Sequence, residues 1–367
     1  MILLPMISIK SFWTLRFVAG LFAFGVVGAW LSAQDSRPPQ IIQDSLNRTI
    51  RIPVKVDRVL SLQPEITRLI VALGAGDRLV GIDFFLRNND HLFKIIAPRQ
   101  ARLPLVSMAD YNINLELVIK LAPDIIFGAP EDRRIVDNLQ SKTRIPTVAL
   151  SSMGRFDGLL EELRLVGRLL GREKRAEELH AYFEATLDRV RTALGSLPPS
   201  ERRPRVYLSF WGGLTKTPVF YEPVAVAGGI NVAEGLLPAF AGTLLAVVGL
   251  EQVAAWNPDI FLVQGNYPPG DRTITVEAVR RDKRLAALDA VRGGRVYYTF
   301  GFWNWWDPAQ VLVETLYLAK LFHPGLFSDV DLAREGEAIF KTFYGFDGAF
   351  AAVNRILRFD EWTHDRK

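Results

Sequence analysis

Four short apolar runs, Val59–Leu62, Leu79–Ile82, Ile125–Phe127 and Thr147–Leu150, are rich in β-branched residues and bounded by Gly, Pro or Asp. Runs of this kind predict strands buried on both faces of a parallel sheet. Between them, Glu65 to Leu73 and Leu115 to Leu121 carry apolar residues at helical steps, so strand and helix alternate. The theme returns in the second half at Val206–Phe210, Ile260–Val263 and Val296–Tyr298. Between the halves the texture changes. Leu159, Leu163, Val166 and Leu170, then Leu179, Phe183, Leu187, Val190 and Leu194, recur at steps of three and four. That spacing predicts one long helix, or two consecutive helices broken near Gly171, ending at Pro198, Pro199 and Pro204. The expected fold class is α/β: two Rossmann-like lobes joined by a long rigid interdomain helix, with a ligand cleft between the lobes. The expected boundaries are 34–154 for the first lobe, 155–197 for the connector, 198–345 for the second lobe and 346–367 for a helical tail.

The N-terminus follows a different pattern. Lys10 and Arg16 precede an apolar run from Phe17 to Leu31, and Ser32, Ala33 and Gln34 lead into the polar Asp35–Pro39. Such a run falls short of the ~20 residues of a membrane-spanning helix, whereas a basic start, a short apolar core and a small residue fit a secretory signal over 1–33. An uncleaved anchor beginning at Phe12 is the alternative, because Leu31 fits the −3 position poorly. Either reading places the bulk of the chain outside the cytoplasm.

Composition narrows the chemistry. The chain has 367 residues, 49% hydrophobic and 23% charged, with 44 Lys+Arg against 40 Asp+Glu and no cysteine. It is too apolar and too evenly charged for a disordered or nucleic-acid-coating protein, and long enough for about two domains. The lack of cysteine excludes disulfides, thiolate metal sites, a Cys nucleophile and a lipid anchor on an N-terminal Cys. The basic run Arg280–Arg284 reads as a wet helix face, Asp271 and Asp282 as solvated surface. No Walker A, G-x-S-x-G or H-E-x-x-H pattern occurs, and no catalytic constellation is found. His91, His180, His323 and His364 lack metal-ligand spacing, although His91 is compatible with a ligand contact. No metal site and no resident cofactor are expected.

The strongest internal signal is a repeat. Leu115–Phe127 lies over Leu250–Leu262 without a gap, with identical Leu, Glu, Val, Pro, Asp and Ile. Each copy predicts a helix with a Glu in its first turn, a Pro-Asp stop and then a strand. Glu116 and Glu251 have two readings. One is complementation of the helix dipole, ~0.3–1 kcal/mol. The other is a matched carboxylate pair, one per lobe, for Arg-bearing sockets on a two-fold partner.

Aromatic residues gather after predicted strands: Phe84, Phe85 and Tyr111 with Arg87 nearby, Phe210 and Trp211, Tyr267, and the dense Phe302, Trp303, Trp305, Trp306. Ligands of open α/β sheets bind beyond the carboxyl ends of strands. Core packing accounts well for Phe84 and Phe210. Three indoles so close in one loop favour a ligand-facing wall, with Arg87 a candidate anion contact.

Taken in order, Asp44-Ser-Leu-Asn-Arg48, Asp57–Leu62, Ala72–Gly81, the two Leu-Glu…Pro-Asp-Ile copies, Ala227–Val232, Gly293–Tyr297, Leu318–Pro324 and Phe343–Gly345 resemble the helix-linked (class III) periplasmic solute-binding proteins. These serve ABC importers of ferric siderophores, haem, cobalamin and related metal complexes. One departure is Asn47-Arg48 where the family often has Gly-Arg, a change a turn tolerates. The resemblance implies that Glu116 and Glu251 dock on arginines of an ABC permease dimer with separate ATPase subunits. It also implies that Asp110 and Tyr111, together with Trp211 and Trp303–Trp306, contact ligand. The expected protein is a monomeric, non-catalytic periplasmic binder, not a lipoprotein, taking a metal chelate: a ferric siderophore first, cobalamin, haem or molybdate/tungstate otherwise. The competing readings are a glycosyltransferase-like enzyme and a membrane-anchored sensor.

Overall fold

The computed structural model describes residues 40–108, 112–128, 133–150, 155–198, 203–210, 212–239, 244–300 and 307–364. The expected signal segment, 1–33, lies outside them.

Two four-stranded sheets, each wholly parallel, form the frame. In the first, the spatial order is Leu79–Gly81, Val59–Ser61, Ile125–Gly128, Thr147–Ala149. In the second it is Val296–Thr299, Ile260–Gln264, Arg205–Ser209, Ile230–Asn231. Helices cover both faces, so the central strands are buried throughout, which is why they read as unbroken apolar runs. A small antiparallel pair, Lys216–Pro218 with Leu245–Val247, is appended to the second sheet and was not anticipated.

The segment between the lobes is two helices, Phe156–Leu169 and Glu173–Leu194. Gly171 turns the chain with φ +62°, a left-handed conformation that glycine adopts without steric cost. The second helix folds back on the first. A Cβ at Gly167 would stand 2.6 Å from the Ala176 Cβ, so only glycine permits this crossing. At 22 residues the second helix is about 33 Å long. The first helix packs on Pro64–Ala72 of the first lobe, the second on Pro308–Phe322 of the second lobe.

The chain ends in helices Leu332–Tyr344, Ala349–Leu357 and Phe359–His364. Leu332–Tyr344 packs on Pro308–Phe322 and also reaches Pro64–Ala72, while Ala349–Leu357 packs against His91–Ile96. The largest apolar cluster therefore runs without interruption from Val59 and Leu69 through Leu163 and Leu187 to Leu312 and Phe340. Each sheet has a separate apolar cluster besides this shared one, around Val118 in the first lobe and Val253 in the second.

Candidate functional site

The repeated segment folds alike in both lobes. Leu115–Leu121 and Leu250–Trp256 are seven-residue helices capped by Asn114, whose side chain accepts from Leu117 N at 2.9 Å, and by Gly249. Each helix stops on a left-handed residue, Ala122 (φ 42°) or Asn257 (φ 43°). The Asp after the proline then staples the start of a neighbouring strand. Asp124 Oδ2 accepts from Asp57 N and Arg58 N, and Asp259 Oδ2 from Arg205 N, all at 2.8 Å. Arg58 and Arg205 donate back to the carbonyls that end the two helices, Leu121 O and Trp256 O. Glu116 and Glu251 are exposed in the first turns, and neither forms an ion pair with a described residue.

A pocket of about 430 Å³, open to solvent, lies where the two lobes meet. Asn89, Asp90 and His91 line its first-lobe side; Asn266, Tyr267 and Gln310 line its second-lobe side. His91 Nε2 reaches across to Asp271 Oδ2 at 3.7 Å. Arg68 also lines the pocket, yet only 1% of its surface is exposed. Its Nη2 donates to Asp90 Oδ2, and its Nη1 stands 4.0 Å from Asp307 Oδ2, which also accepts the Tyr344 hydroxyl. Asp90 and Asp307 each cap a helix as well, accepting from Phe93 N at 2.9 Å and Gln310 N at 2.8 Å. One buried cation from the first lobe thus ties together helix starts from both lobes. Burial pushes the Asp307 carboxyl up, against the pull of Arg68.

Beside this hub, Asp83 caps the short helix Phe84–Asn88 by accepting from Phe85 N at 2.8 Å and Leu86 N at 3.2 Å. Burial raises its carboxyl to about 7. That helix carries Phe85 and Arg87, and Arg87 Nη1 donates to Leu103 O at 3.3 Å. At the carboxyl end of the second sheet, Glu314 is fully buried under the exit of strand Val296–Thr299. It accepts from Phe300 N at 2.9 Å, from Tyr221 OH at 3.3 Å and from Thr299 OH, and burial raises it to about 7.

Of the residues expected at the site, Tyr267 lines the interlobe pocket, half-buried, with its phenol pushed up by burial. Phe85 and Arg87 sit on the helix just before Asn89 and are not among the pocket-lining residues. Asp110, Tyr111, Trp211, Phe302, Trp303, Trp305 and Trp306 lie outside the described residues. Asp282 is paired with Arg284 at 2.6 Å rather than merely solvated. Arg68, Asn89, Asp90, Asn266 and Gln310 were missed. The available signal was Arg68 itself, a charge beside Ile66, Leu69 and Ile70 on an otherwise largely apolar helix.

The family described as "Periplasmic binding protein" matches residues 59–300. The molybdate-binding protein MolA of Haemophilus influenzae is 25% identical over 334 residues, covering 83% of this chain and 91% of that protein. The ABC transporter substrate-binding lipoprotein YvrC of Bacillus subtilis, itself uncharacterized, is 23% identical over 71% of this chain and 77% of its own length. Among solved structures, MolA bound to molybdate superposes with a TM-score of 0.70 at 22% identity, covering 84% of this chain and 98% of that one. Helicobacter pylori CeuE with Ni(II) bound gives 0.69 at 17% identity, covering 86% and 99%. Two parallel-sheet lobes, a helical connector and a family match across both sheets agree: the chain belongs to the periplasmic binding protein family and has the two-lobed fold of the solved members it superposes on.

Proposed function

We propose that this protein captures a metal-bearing small molecule between its lobes, outside the cytoplasm, and delivers it to an ABC permease by way of Glu116 and Glu251. The observation that carries the docking half is the duplicated helix. The same carboxylate occupies the same first-turn position in both lobes, exposed and without an ion-pair partner among the described residues, while the rest of the repeat is committed to capping and stapling. An exposed carboxylate needed only for the helix dipole has no reason to recur so closely, since the dipole accepts Asp or Glu at any first-turn position. For the ligand, similarity along most of MolA supports a metal-bearing solute, either an oxyanion of the molybdate kind or an organic chelate such as a ferric siderophore or corrinoid. The expected contacts are Tyr267 in the pocket, Phe85 and Arg87 beside it, and the loop residues Asp110, Tyr111, Trp211, Phe302, Trp303, Trp305 and Trp306.

The test separates capture from delivery. Glu116→Arg and Glu251→Arg, singly and together, should leave solute affinity within about twofold while uptake through the reconstituted permease falls by at least about tenfold in the double variant. Normal uptake by the double variant removes both glutamates from the docking role.

A further inference from the structure

We propose that the penultimate helix Ala349–Leu357 is part of the ligand-binding site, closing a third wall that receives an uncharged, amide- or hydroxyl-bearing organic portion of the solute. This rests on the reading that the chain binds a metal-bearing solute between its lobes. The helix is fixed, not draped. Arg272 donates to Leu357 O at 2.6 Å and to Tyr267 O at 3.0 Å, with its guanidinium 4.2 Å from the centre of the Tyr298 ring. On its other side Phe350 fills the space over Gly336, where a Cβ would stand 2.6 Å from the ring. So held, the helix presents Val353 and Ile356 to the pocket together with Leu92 and Ile95 from the first lobe.

The polar lining has a matching character. Asn89, Asn266 and Gln310 contribute three side-chain amides. Asn266 Oδ1 is buried with no hydrogen-bond partner, and the side chain of Gln310, on a residue 8% exposed, makes no hydrogen bond to a described residue. A buried amide oxygen left open, as Asn266 Oδ1 is, is costly unless something else satisfies it. The charges, by contrast, are already balanced. Arg68 is held by Asp90 and Asp307, and His91 faces Asp271. A bare dianion gains no surplus positive charge here, whereas a neutral amide or hydroxyl gains both hydrogen bonds and an apolar bed. The pocket is open to solvent, so it receives one part of a solute whose remainder lies outside it.

The exported protein is titrated by tryptophan fluorescence with a ferric hydroxamate siderophore complex, cyanocobalamin and sodium molybdate. An organic complex should bind, and Ile356→Trp, which fills the pocket with apolar atoms, should weaken it by at least about tenfold at an unchanged thermal midpoint. Gln310→Leu should weaken the same complex; it decides the matter if Ile356→Trp does not fold. Unchanged affinity in the folded variants, or binding of molybdate alone, overturns the third wall and leaves capture standing. Binding of none of the three overturns the capture reading, and this proposal with it.

Discussion

Glu314 gives the protein a pH dependence whose sign and size follow from its surroundings. The carboxyl is fully buried, and burial lifts it from an ordinary 4.5 to about 7 despite hydrogen bonds from Thr299 OH, Phe300 N and Tyr221 OH. The folded state therefore holds this proton more tightly than the unfolded chain. Below about 4.5 both states are protonated and nothing is lost. As pH rises from about 4.5 to about 7, stability falls, and above about 7 the loss is complete. At ~1.4 kcal/mol per unit the full loss is about 3 kcal/mol, most of which develops between about pH 5 and about pH 8. Glu314→Gln removes the titration. Its carbonyl keeps Phe300 N and its amide donates to the Tyr221 and Thr299 hydroxyls, which rotate to accept. The change of partners adds a constant offset, so the readout is the slope. Urea unfolding of both proteins across this range should show the variant gaining about 2–3 kcal/mol on the wild type as pH rises. Asp83, raised to about 7 by burial, and Asp307, also raised by burial, titrate in both proteins and cancel in the difference. A difference that stays flat with pH within about 0.5 kcal/mol refutes the assignment. The outcome bears on function because Phe300 is the last described residue before Gly301–Trp306.

Two further predictions concern the frame of the site. Arg68→Met leaves Asp90 and Asp307 buried without their cation and should cost about 3–5 kcal/mol near neutral pH; urea unfolding should show the cost shrinking in acid, where Asp307, held up by burial, takes a proton, and a pH-independent cost would mean the ion pair is not its source. Asp124→Ala and Asp259→Ala each remove a staple of about 1–3 kcal/mol; hydrogen exchange should quicken at Asp57 and Arg58 in the first and at Arg205 in the second, and no local effect would reduce the Pro-Asp repeat to a turn signal.

Much of the frame was legible because both sheets are parallel and covered on both faces. The central strands, such as Ile125–Gly128 and Ile260–Gln264, fall within a residue or two of the apolar runs, since burial on both sides leaves no polar alternation to confuse the period. Asn47 sits at φ 57° in the turn where glycine was the familiar residue, and Asn tolerates that conformation better than most. The repeat was visible as letters, but the part Asp124 and Asp259 play was not, because their partners, Arg58 and Arg205, precede them by more than fifty residues. Pro308–Phe322 gave no amphipathic signal for the opposite reason: it is buried nearly all round. Arg68 was hidden by distance. A lone arginine in a helix ordinarily reads as solvated, and Asp307, the residue that makes it structural, belongs to the other lobe. The penultimate helix showed apolar residues but not what they face, because amphipathicity names a face and never its partner.

Under the docking and capture proposals, the placement of the repeat links the two through a single strand in the second lobe. From the stop at Asn257, the chain runs through Asp259 into Ile260–Gln264 and emerges at Asn266 and Tyr267, two residues of the pocket. Five strand residues span about 17 Å. That strand is paired on both sides, with Arg205–Ser209 and Val296–Thr299, so it transmits position as a rigid rod and not by bending. The lobes in turn share one apolar cluster, the Arg68 hub and the helix Ala349–Leu357, all of which resist wide opening. Under the docking proposal, two glutamates on separate lobes then act as a gauge of the angle between them. On that proposal a solute seated against the third wall would signal through a small change of that angle, and a small change is what a frame pinned in this way allows.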